Sequence, residues 1–130
     1  MLGQFEGADP IVIADFEAGV GTLTRMAEAA VDAVLVVVEP TPKSIEVAQR
    51  AIALAAERGI GPVIVLANRV GGDEDLARLR AALGPDFAIV PEDSAILDAD
   101  RDGAAPLDRS PGSPGVSAIA SVARSLVATA

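Results

Sequence analysis

Four groups of polar residues each follow an apolar run, and they are the residues best placed to do chemistry. The groups are Asp15-Phe16-Glu17, Glu39-Pro40, Asn68-Arg69 and Pro91-Glu92-Asp93. Carboxylates gathered in one place would bind a cation or a small polar ligand. A structural origin is the alternative for each group, because Asp, Asn and Pro are common in the turns that end strands.

The apolar runs, at 11–14, 33–38, 63–66 and 87–90, predict buried strands. Between them, apolar residues three or four apart predict helices, one of which starts at Thr41-Pro42 and ends at Gly59. Strands that alternate with helices form right-handed crossovers around a parallel sheet. The expected fold class is therefore α/β, a parallel sheet of about four strands with flanking helices.

In an open parallel sheet, ligands bind beyond the carboxyl ends of the strands. All four polar groups are therefore predicted to lie on one rim. A helical turn is expected at 94–99 and a last helix at 116–126. The inward residues of that helix are expected to be Val116, Ile119, Ala120, Ala123 and Val127.

The length of 130 residues suits a single domain. Residues 1–10 are interpreted as a lead-in to the first strand, and 103–115, rich in Pro, Gly and Ser, as an exposed loop. The N-terminus has no signal-peptide pattern, and no apolar run approaches the ~20 residues that span a bilayer. We expect a cytoplasmic protein that does not bind membranes.

Composition removes several functional classes. The chain has no Cys and no His, so a thiolate metal site, a cysteine nucleophile and the commonest general base are excluded. The formal net charge is −9, with 10 basic against 19 acidic residues. Nucleic acid is therefore not an expected partner, because phosphate backbones are bound mainly by Lys and Arg.

None of three short functional motifs is complete in the sequence. Gly19-Val20-Gly21 lacks the third glycine of a dinucleotide fingerprint, since position 24 is Thr24. No Gly-Lys pair occurs, so these residues contain no phosphate-binding loop of Walker A type. Asp98 to Gly103 matches the first half of a calcium loop, but the twelfth position is Arg109 instead of Glu. We therefore interpret these residues as the acidic end of a helix that leads into a loop.

The ordered set of segments resembles a known family, the deviant-Walker P-loop ATPases of the MinD, ParA and nitrogenase iron-protein group. Within it, the likeness is greatest to the carbon monoxide dehydrogenase maturation ATPases of CooC type. The matching segments span about residues 11 to 127, in the family's order and spacing. They are VIADFEAG at 12–19, VVVEP at 36–40, ANRV at 67–70, VPED at 90–93 and ADRDG at 99–103.

The resemblance implies roles for individual residues. Asp15 looks like the Walker B aspartate, which would hold Mg²⁺ through water, and Asp15 to Gly19 looks like the switch segment that senses the γ-phosphate. Asn68 resembles the asparagine that hydrogen-bonds adenine, and Val90, Pro91 and Asp93 resemble the loop that walls the base. Glu17 and Glu39 match the pattern without an assigned role.

The resemblance also implies a partial fold. These segments look like the C-terminal half of such an ATPase, a partial P-loop NTPase (SIMIBI-like) fold that lacks the P-loop strand. ATP or ADP and Mg²⁺ are the implied cofactors, bound weakly or not at all, because the phosphate cradle is missing. We expect an ATPase-like half-domain of metalloenzyme maturation that is inactive as an isolated chain. The alternative is a non-catalytic protein-interaction module.

In the family's topology the P-loop strand lies between the strand before Asp15 and the strand at 33–38. Without it, an apolar strand edge stays open, and such edges attract other chains. A homodimer or a P-loop-bearing partner chain is therefore expected, with a metalloenzyme client as a further partner. A calcium-binding or small-molecule enzyme that uses the acidic rim is the third function considered.

Overall fold

The computed structural model describes residues 11–16 and 31–129. Three strands and five helices occur in these residues. In chain order they are β1 Val34–Val38, α1 Pro42–Arg58, β2 Val63–Val70, α2 Asp73–Leu83, β3 Ala88–Pro91, α3 Ser94–Arg101, α4 Pro106–Arg109 and α5 Pro114–Thr129. The α/β class and the parallel sheet are confirmed.

The sheet has the order β1-β2-β3, and both pairings are parallel. β1 and β2 are each followed by a helix that returns the chain to the start of the next strand, as parallel pairing requires. The predicted limits of α1 are confirmed. The Thr41 hydroxyl accepts a hydrogen bond from the Ser44 N–H at 3.3 Å, and Gly59 ends the helix in the left-handed conformation.

The main core lies between one face of the sheet and the helices α1 and α2. Val34, Val36 and Val38 of β1 point into it and meet Ile45 of α1 and Leu79 of α2. Val38 and Leu79 are fully buried, and burial of one such side chain stabilises a fold by about 2 kcal/mol. The helix α5 packs against β3, where Val90 is buried.

The prediction of a first strand at 11–14 is wrong. Residues 11–16 form no strand in the structure, and Ile11, Val12 and Ile13 are 71%, 51% and 89% exposed. A strand exists only where its N–H and C=O groups pair with a neighbour, and this segment pairs with none of the three strands described. The sheet therefore has three strands in the described residues instead of about four.

The strand β1 also differs from the prediction of burial on both faces. Leu35 is 41% and Val37 is 54% exposed, while their neighbours in the strand are buried. Similarly, Ile119, Ala123 and Val127 of α5 are exposed, although Val116 is buried as expected. An apolar pattern shows which face of an element can be buried. That face is buried only if another element packs against it.

The segment at 103–115 is more ordered than an exposed loop. It contains α4, with Pro106 at the first helical position, and it ends in the first turn of α5. Gly115 is buried at that turn. Proline favours a first helical turn because its fixed φ suits the helix and its missing N–H is not needed there.

Among the described residues, no helix is long and apolar enough to cross a membrane.

Candidate functional site

The carboxyl ends of the three strands meet at one rim, and Arg69 connects them. Its guanidinium lies 3.6 Å from a carboxylate oxygen of Glu39, beyond β1, and 3.6 Å from one of Glu92, beyond β3. The predicted common rim is therefore observed for three of the four polar groups. All three side chains are about half exposed, so each ion pair contributes at most ~1 kcal/mol.

Arg69 has an unusual backbone conformation. Its φ is 57°, the only positive value at a non-glycine residue among those described. The pairing of β2 with β3 shifts register between Ala67 and Val70, around this residue. A left-handed residue in a strand costs on the order of 1 kcal/mol. Such strain persists only where the surrounding structure holds it, and it is common at functional sites.

Hydrogen bonds hold the helix α2 against the same rim. Arg78 donates a hydrogen bond of 2.9 Å to the carbonyl of Pro40, which follows β1. Its guanidinium also lies 3.1 Å from Glu74 and 3.4 Å from Asp75. Asp75 in turn accepts a 2.8 Å hydrogen bond from the N–H of Gly71. The loop after β2 is thus held to the first turn of α2, and α2 is held to the segment after β1.

Asp93 joins two helices. Its carboxylate accepts hydrogen bonds from the N–H of Ala95 at 2.9 Å, as the N-cap of α3, and from the N–H of Gly115 at 2.7 Å, at the start of α5. A β-carbon at Gly115 would lie 2.9 Å from Asp93 and 2.8 Å from Ile96. Only glycine allows α5 to approach this closely. Asp93 therefore has a structural role, which is the alternative that the sequence left open for residues at the strand ends.

The surroundings of Asp93 lower its pKa. The Ser113 hydroxyl and the Gly115 and Ala95 amides favour the charged form, and desolvation opposes them. The Ser113 oxygen is buried without a partner at full hydrogen-bond geometry. We therefore assign most of the stabilisation of the carboxylate to the two amides, whose distances are short.

The other predicted site residues lie as follows. Asn68 is partly buried near the end of β2, Val90 is buried in β3, and Pro91 ends β3. Asp15 is exposed in the segment 11–16. Glu17 and Gly19 lie outside the described residues. The structure therefore places Asn68 and the segment from Val90 to Asp93 on neighbouring strand ends. It gives no contact between Asp15 and this rim.

A shallow concavity of about 680 Å³ lies beside the rim, between β3 and the helices α2 and α3. Its apolar lining comes from Val70, Leu76, Ile89, Pro91 and Leu97. Of the predicted site residues, Pro91 and Glu92 line it. It could accept one face of a planar apolar group, but it has no wall on its open side.

The acidic segment from Asp98 to Gly103 does not form a calcium loop. Asp98 and Asp100 lie on α3, and Asp98 pairs with Arg101 of the same helix at 3.4 Å. Asp102 forms an ion pair with Arg109. Within the described ranges no cluster of three or more carboxylates has the arrangement of a metal site.

These residues suit the base of a nucleotide better than its phosphates. The Asn68 amide can hydrogen-bond a base, and the apolar groups near Pro91 can contact its face. The phosphate side is unfavourable, because the two glutamates of the rim outnumber Arg69 and the first turn of α2 carries Asp73, Glu74 and Asp75. Phosphates need several N–H donors or cations. The described residues could hold a base, and they provide no phosphate cradle.

Sequence reasoning missed two residues. Arg69 was grouped with Asn68 and given no role, although a single cation between acidic residues at three strand ends was a usable signal. Gly115 had no sequence signal, because its role depends on how closely α5 approaches Asp93.

Comparison with known proteins gives three similarities. The chain is 36% identical over 93 residues to an uncharacterised ATP-binding protein of Methanocaldococcus jannaschii, covering 68% of this chain and 36% of that protein. It is 33% identical over 102 residues to the carbon monoxide dehydrogenase accessory protein CooC of Rhodospirillum rubrum, covering 77% and 39%. No protein-family profile matches it.

The fold is similar to that of the MinD cell division protein of Aquifex aeolicus. The TM-score is 0.64 at 26% identity, and the match covers 85% of this chain and 49% of MinD. The chain thus spans less than half the length of each of these proteins. The similarity concerns one part of a larger fold.

Proposed function

Because the chain is a partial domain of the MinD- and ParA-like P-loop ATPase type, with CooC among its relatives, we propose that it is an ATPase-like nucleotide-switch half-domain of metalloenzyme maturation. The observation that carries the proposal is the rim. Asn68, Arg69 and the segment from Val90 to Asp93 lie together at the carboxyl ends of parallel strands, where ligands of such folds bind.

In this proposal each of the site residues contacts a different part of the nucleotide or its Mg²⁺ ion. The Asn68 amide hydrogen-bonds the adenine, and Val90, Pro91 and Asp93 form the wall beside it. Asp15 is the Walker B carboxylate that holds Mg²⁺ through water, and the segment from Asp15 through Glu17 to Gly19 senses the γ-phosphate. When bound, Mg²⁺ would neutralise charge on the phosphates.

Hydrolysis of ATP requires a phosphate-binding loop from another stretch of polypeptide. No Gly-Lys pair occurs in the 130 residues, so this chain offers no Walker A lysine for the charge of the transition state. We propose a homodimer or a P-loop-bearing chain as the partner, a metalloenzyme as the client and the cytoplasm as the compartment. CooC, by its name, serves carbon monoxide dehydrogenase.

Binding of adenine nucleotides tests the proposal directly. We expect adenosine, ADP and Mg-ATP to bind the isolated chain with similar, weak affinity, with a Kd on the order of 1 mM, because the phosphates gain little. Two-dimensional NMR suits such affinities. Asn68 is the sole asparagine of the chain, so its side-chain amide signals report on contact with the base.

Two variants sharpen this test. Asn68→Ala should weaken binding by about tenfold, the value of one or two hydrogen bonds. Ser121→Ala, on the exposed side of α5, is the matched control and should bind as the parent does. Absence of any shift at Asn68 with all three ligands would overturn the proposal. ATP hydrolysis by the isolated chain that survives rigorous purification would contradict the need for a second polypeptide.

A non-catalytic interaction module is the second candidate. The exposure of Leu35 and Val37 in the edge strand β1 favours it. This function predicts association with a polypeptide and no response of the Asn68 signals to any adenine nucleotide.

A further inference from the structure

The strand β2 contains a β-bulge at the rim. Ala67 of β2 pairs with Ile89 of β3. Three residues further on, Val70 pairs with Pro91, which is only two residues after Ile89. The extra residue of β2 makes the bulge, and Arg69 within it has the left-handed backbone, with a φ of 57°. Bulges are rare between parallel strands and are common beside binding sites, where they redirect a side chain.

The bulge returns β2 to the core and moves two residues out of it. In a regular strand, residues three apart point to opposite faces of the sheet. Ala67 and Val70 are three apart, and both are buried in the main core. The two residues between them leave the core, since Asn68 is partly buried and Arg69 is exposed. The backbone of the bulge therefore sets the direction of both side chains at the rim.

The side chain of Arg69 is placed to hold this backbone. The left-handed position of a bulge is commonly glycine, which adopts it without strain. Any other residue keeps the conformation only where the surrounding structure holds it. The Arg69 guanidinium lies 3.6 Å from a carboxylate oxygen of Glu39 and 3.6 Å from one of Glu92. If φ relaxed to a negative value, the β-carbon would turn away and both ion pairs would break.

Both carboxylates belong to anchored strand ends. The N–H of Glu39 donates to the hydroxyl of Ser44, in the first turn of α1, at 2.9 Å. The N–H of Glu92 donates to the carbonyl of Val70, directly after the bulge, at 3.0 Å. Arg69 therefore connects the ends of β1 and β3 across the middle strand of the sheet.

We propose that Arg69 is a positioning residue of the base site. Its bridge between Glu39 and Glu92 holds the bulge, and the bulge aims the amide of Asn68 at the ligand. No described residue hydrogen-bonds the Asn68 side chain, so in that part of the chain only its backbone and its packing direct it. Because adenine is taken as the group that Asn68 binds, the role of Arg69 rests on the proposed function.

The direction of the Asn68 side chain can be measured without a ligand. Three-bond and residual dipolar couplings of this sole asparagine report whether it holds one χ1 rotamer, and we expect one dominant rotamer in the parent. A double variant, Glu39→Gln with Glu92→Gln, removes the bridge without changing position 69. It should average Asn68 over at least two rotamers. Glu46→Gln, in an exposed ion pair of α1, is the matched control and should leave the rotamer unchanged.

Adenosine binding connects this direction to the ligand. Adenosine has no phosphate, so the charge of the rim has little direct effect on its affinity. The double variant and Arg69→Gly should each weaken its binding by about fivefold, although they change the net charge in opposite directions. Arg69→Lys should recover part of the loss, because a single ammonium pairs with one carboxylate at a time. Arg50→Ala, in the ion pair of α1, is the matched control.

A general loss of stability is controlled by Gly59→Ala, which disturbs the C-terminal end of α1 and should change neither the rotamer nor the affinity. An unchanged Asn68 rotamer in the double variant would overturn the proposal. So would weaker binding by Arg69→Gly with parent-like binding by the double variant, since Arg69 would then contact the base itself. If the parent does not bind adenosine, the proposed function fails, and the rotamer measurement still decides whether Arg69 positions Asn68.

Discussion

At the scale of single residues, Asp93 shows how one carboxylate can fix the relation between two helices. It accepts the amides of Ala95 and Gly115, and its pKa is lowered because these donors, with the Ser113 hydroxyl, favour the charged form. A group with a lowered folded-state pKa stabilises the fold above its unfolded pKa of ~3.9. That stabilisation is lost as the pH falls through the folded-state pKa.

Asp93→Asn should therefore lower the thermal midpoint at neutral pH, because an amide is a weaker acceptor for two backbone donors. It should also flatten the loss of stability below about pH 4, since the titrating group is gone. Asp86→Asn removes an exposed carboxylate in the loop before β3 and serves as the control. Equal acid sensitivity of the two variants would show that Asp93 does not link folding to pH.

Arg69 affects the stability of the fold in two small and opposite ways. Its ion pairs with Glu39 and Glu92 are exposed and stabilise by 0 to about 1 kcal/mol each. Its left-handed backbone costs on the order of 1 kcal/mol. Substitution can separate the two.

Arg69→Ala and Arg69→Gly both remove the ion pairs, and only the alanine keeps a β-carbon at this φ. We expect the glycine variant to be more stable than the alanine variant by about 1 kcal/mol, measured by urea unfolding. Equal stabilities would mean that the backbone at position 69 relaxes freely. The strain would then have no part in shaping the rim.

At the scale of elements, the helix ends follow from their cap residues. Gly59 ends α1 at φ 59° and ψ 37°, and its N–H donates to the carbonyls of Ala55 and Ala56. No atom lies within 4 Å of the position its β-carbon would take. The cost of a side chain there is therefore purely conformational.

Gly59→Ala should destabilise the fold by about 1 kcal/mol, which urea or thermal unfolding would measure. Gly112→Ala is the matched control, because this glycine also has open space around it and its φ is not in the left-handed region. A cost shared by both variants would point to the unfolded chain and not to the cap.

At the scale of the whole molecule, charge and uncovered apolar surface decide behaviour. A net charge of −9 on 130 residues produces self-repulsion in the compact state. The ion pairs around Arg69, Arg78 and Arg101 are exposed and offset little of it. Exposed apolar residues on β1 and α5 mark the side from which further packing is missing in the described chain.

Raising NaCl from about 20 mM to about 300 mM should therefore raise the thermal midpoint, because the Debye length falls from roughly 20 Å to about 6 Å. Differential scanning calorimetry at several protein concentrations measures this shift, because self-association would make the midpoint depend on concentration. A midpoint that falls with salt would show that the ion pairs outweigh the repulsion.

The fold was predictable in outline because local signals agreed with one another. The three strands are recognisable from the apolar runs at 33–38, 63–66 and 87–90, although β2 continues past its run through Asn68 and Arg69 to Val70. Thr41 and Gly59 mark the ends of α1 through their own chemistry. Parallel order followed from the alternation of strands and helices. The placement of Glu39, Asn68 and Glu92 on one rim followed from that order.

The sequence by itself determined the α/β class, the limits of α1 and the common rim of three polar groups, because hydrophobic period and capping act over a few residues. Only the tertiary structure decided that residues 11–16 form no strand, that Leu35 and Val37 remain uncovered, that Arg69 adopts a left-handed backbone and that Asp93 reaches Gly115. Each of these depends on what lies across space from the residue. Pairing, burial and strain are properties of neighbours that are distant along the chain.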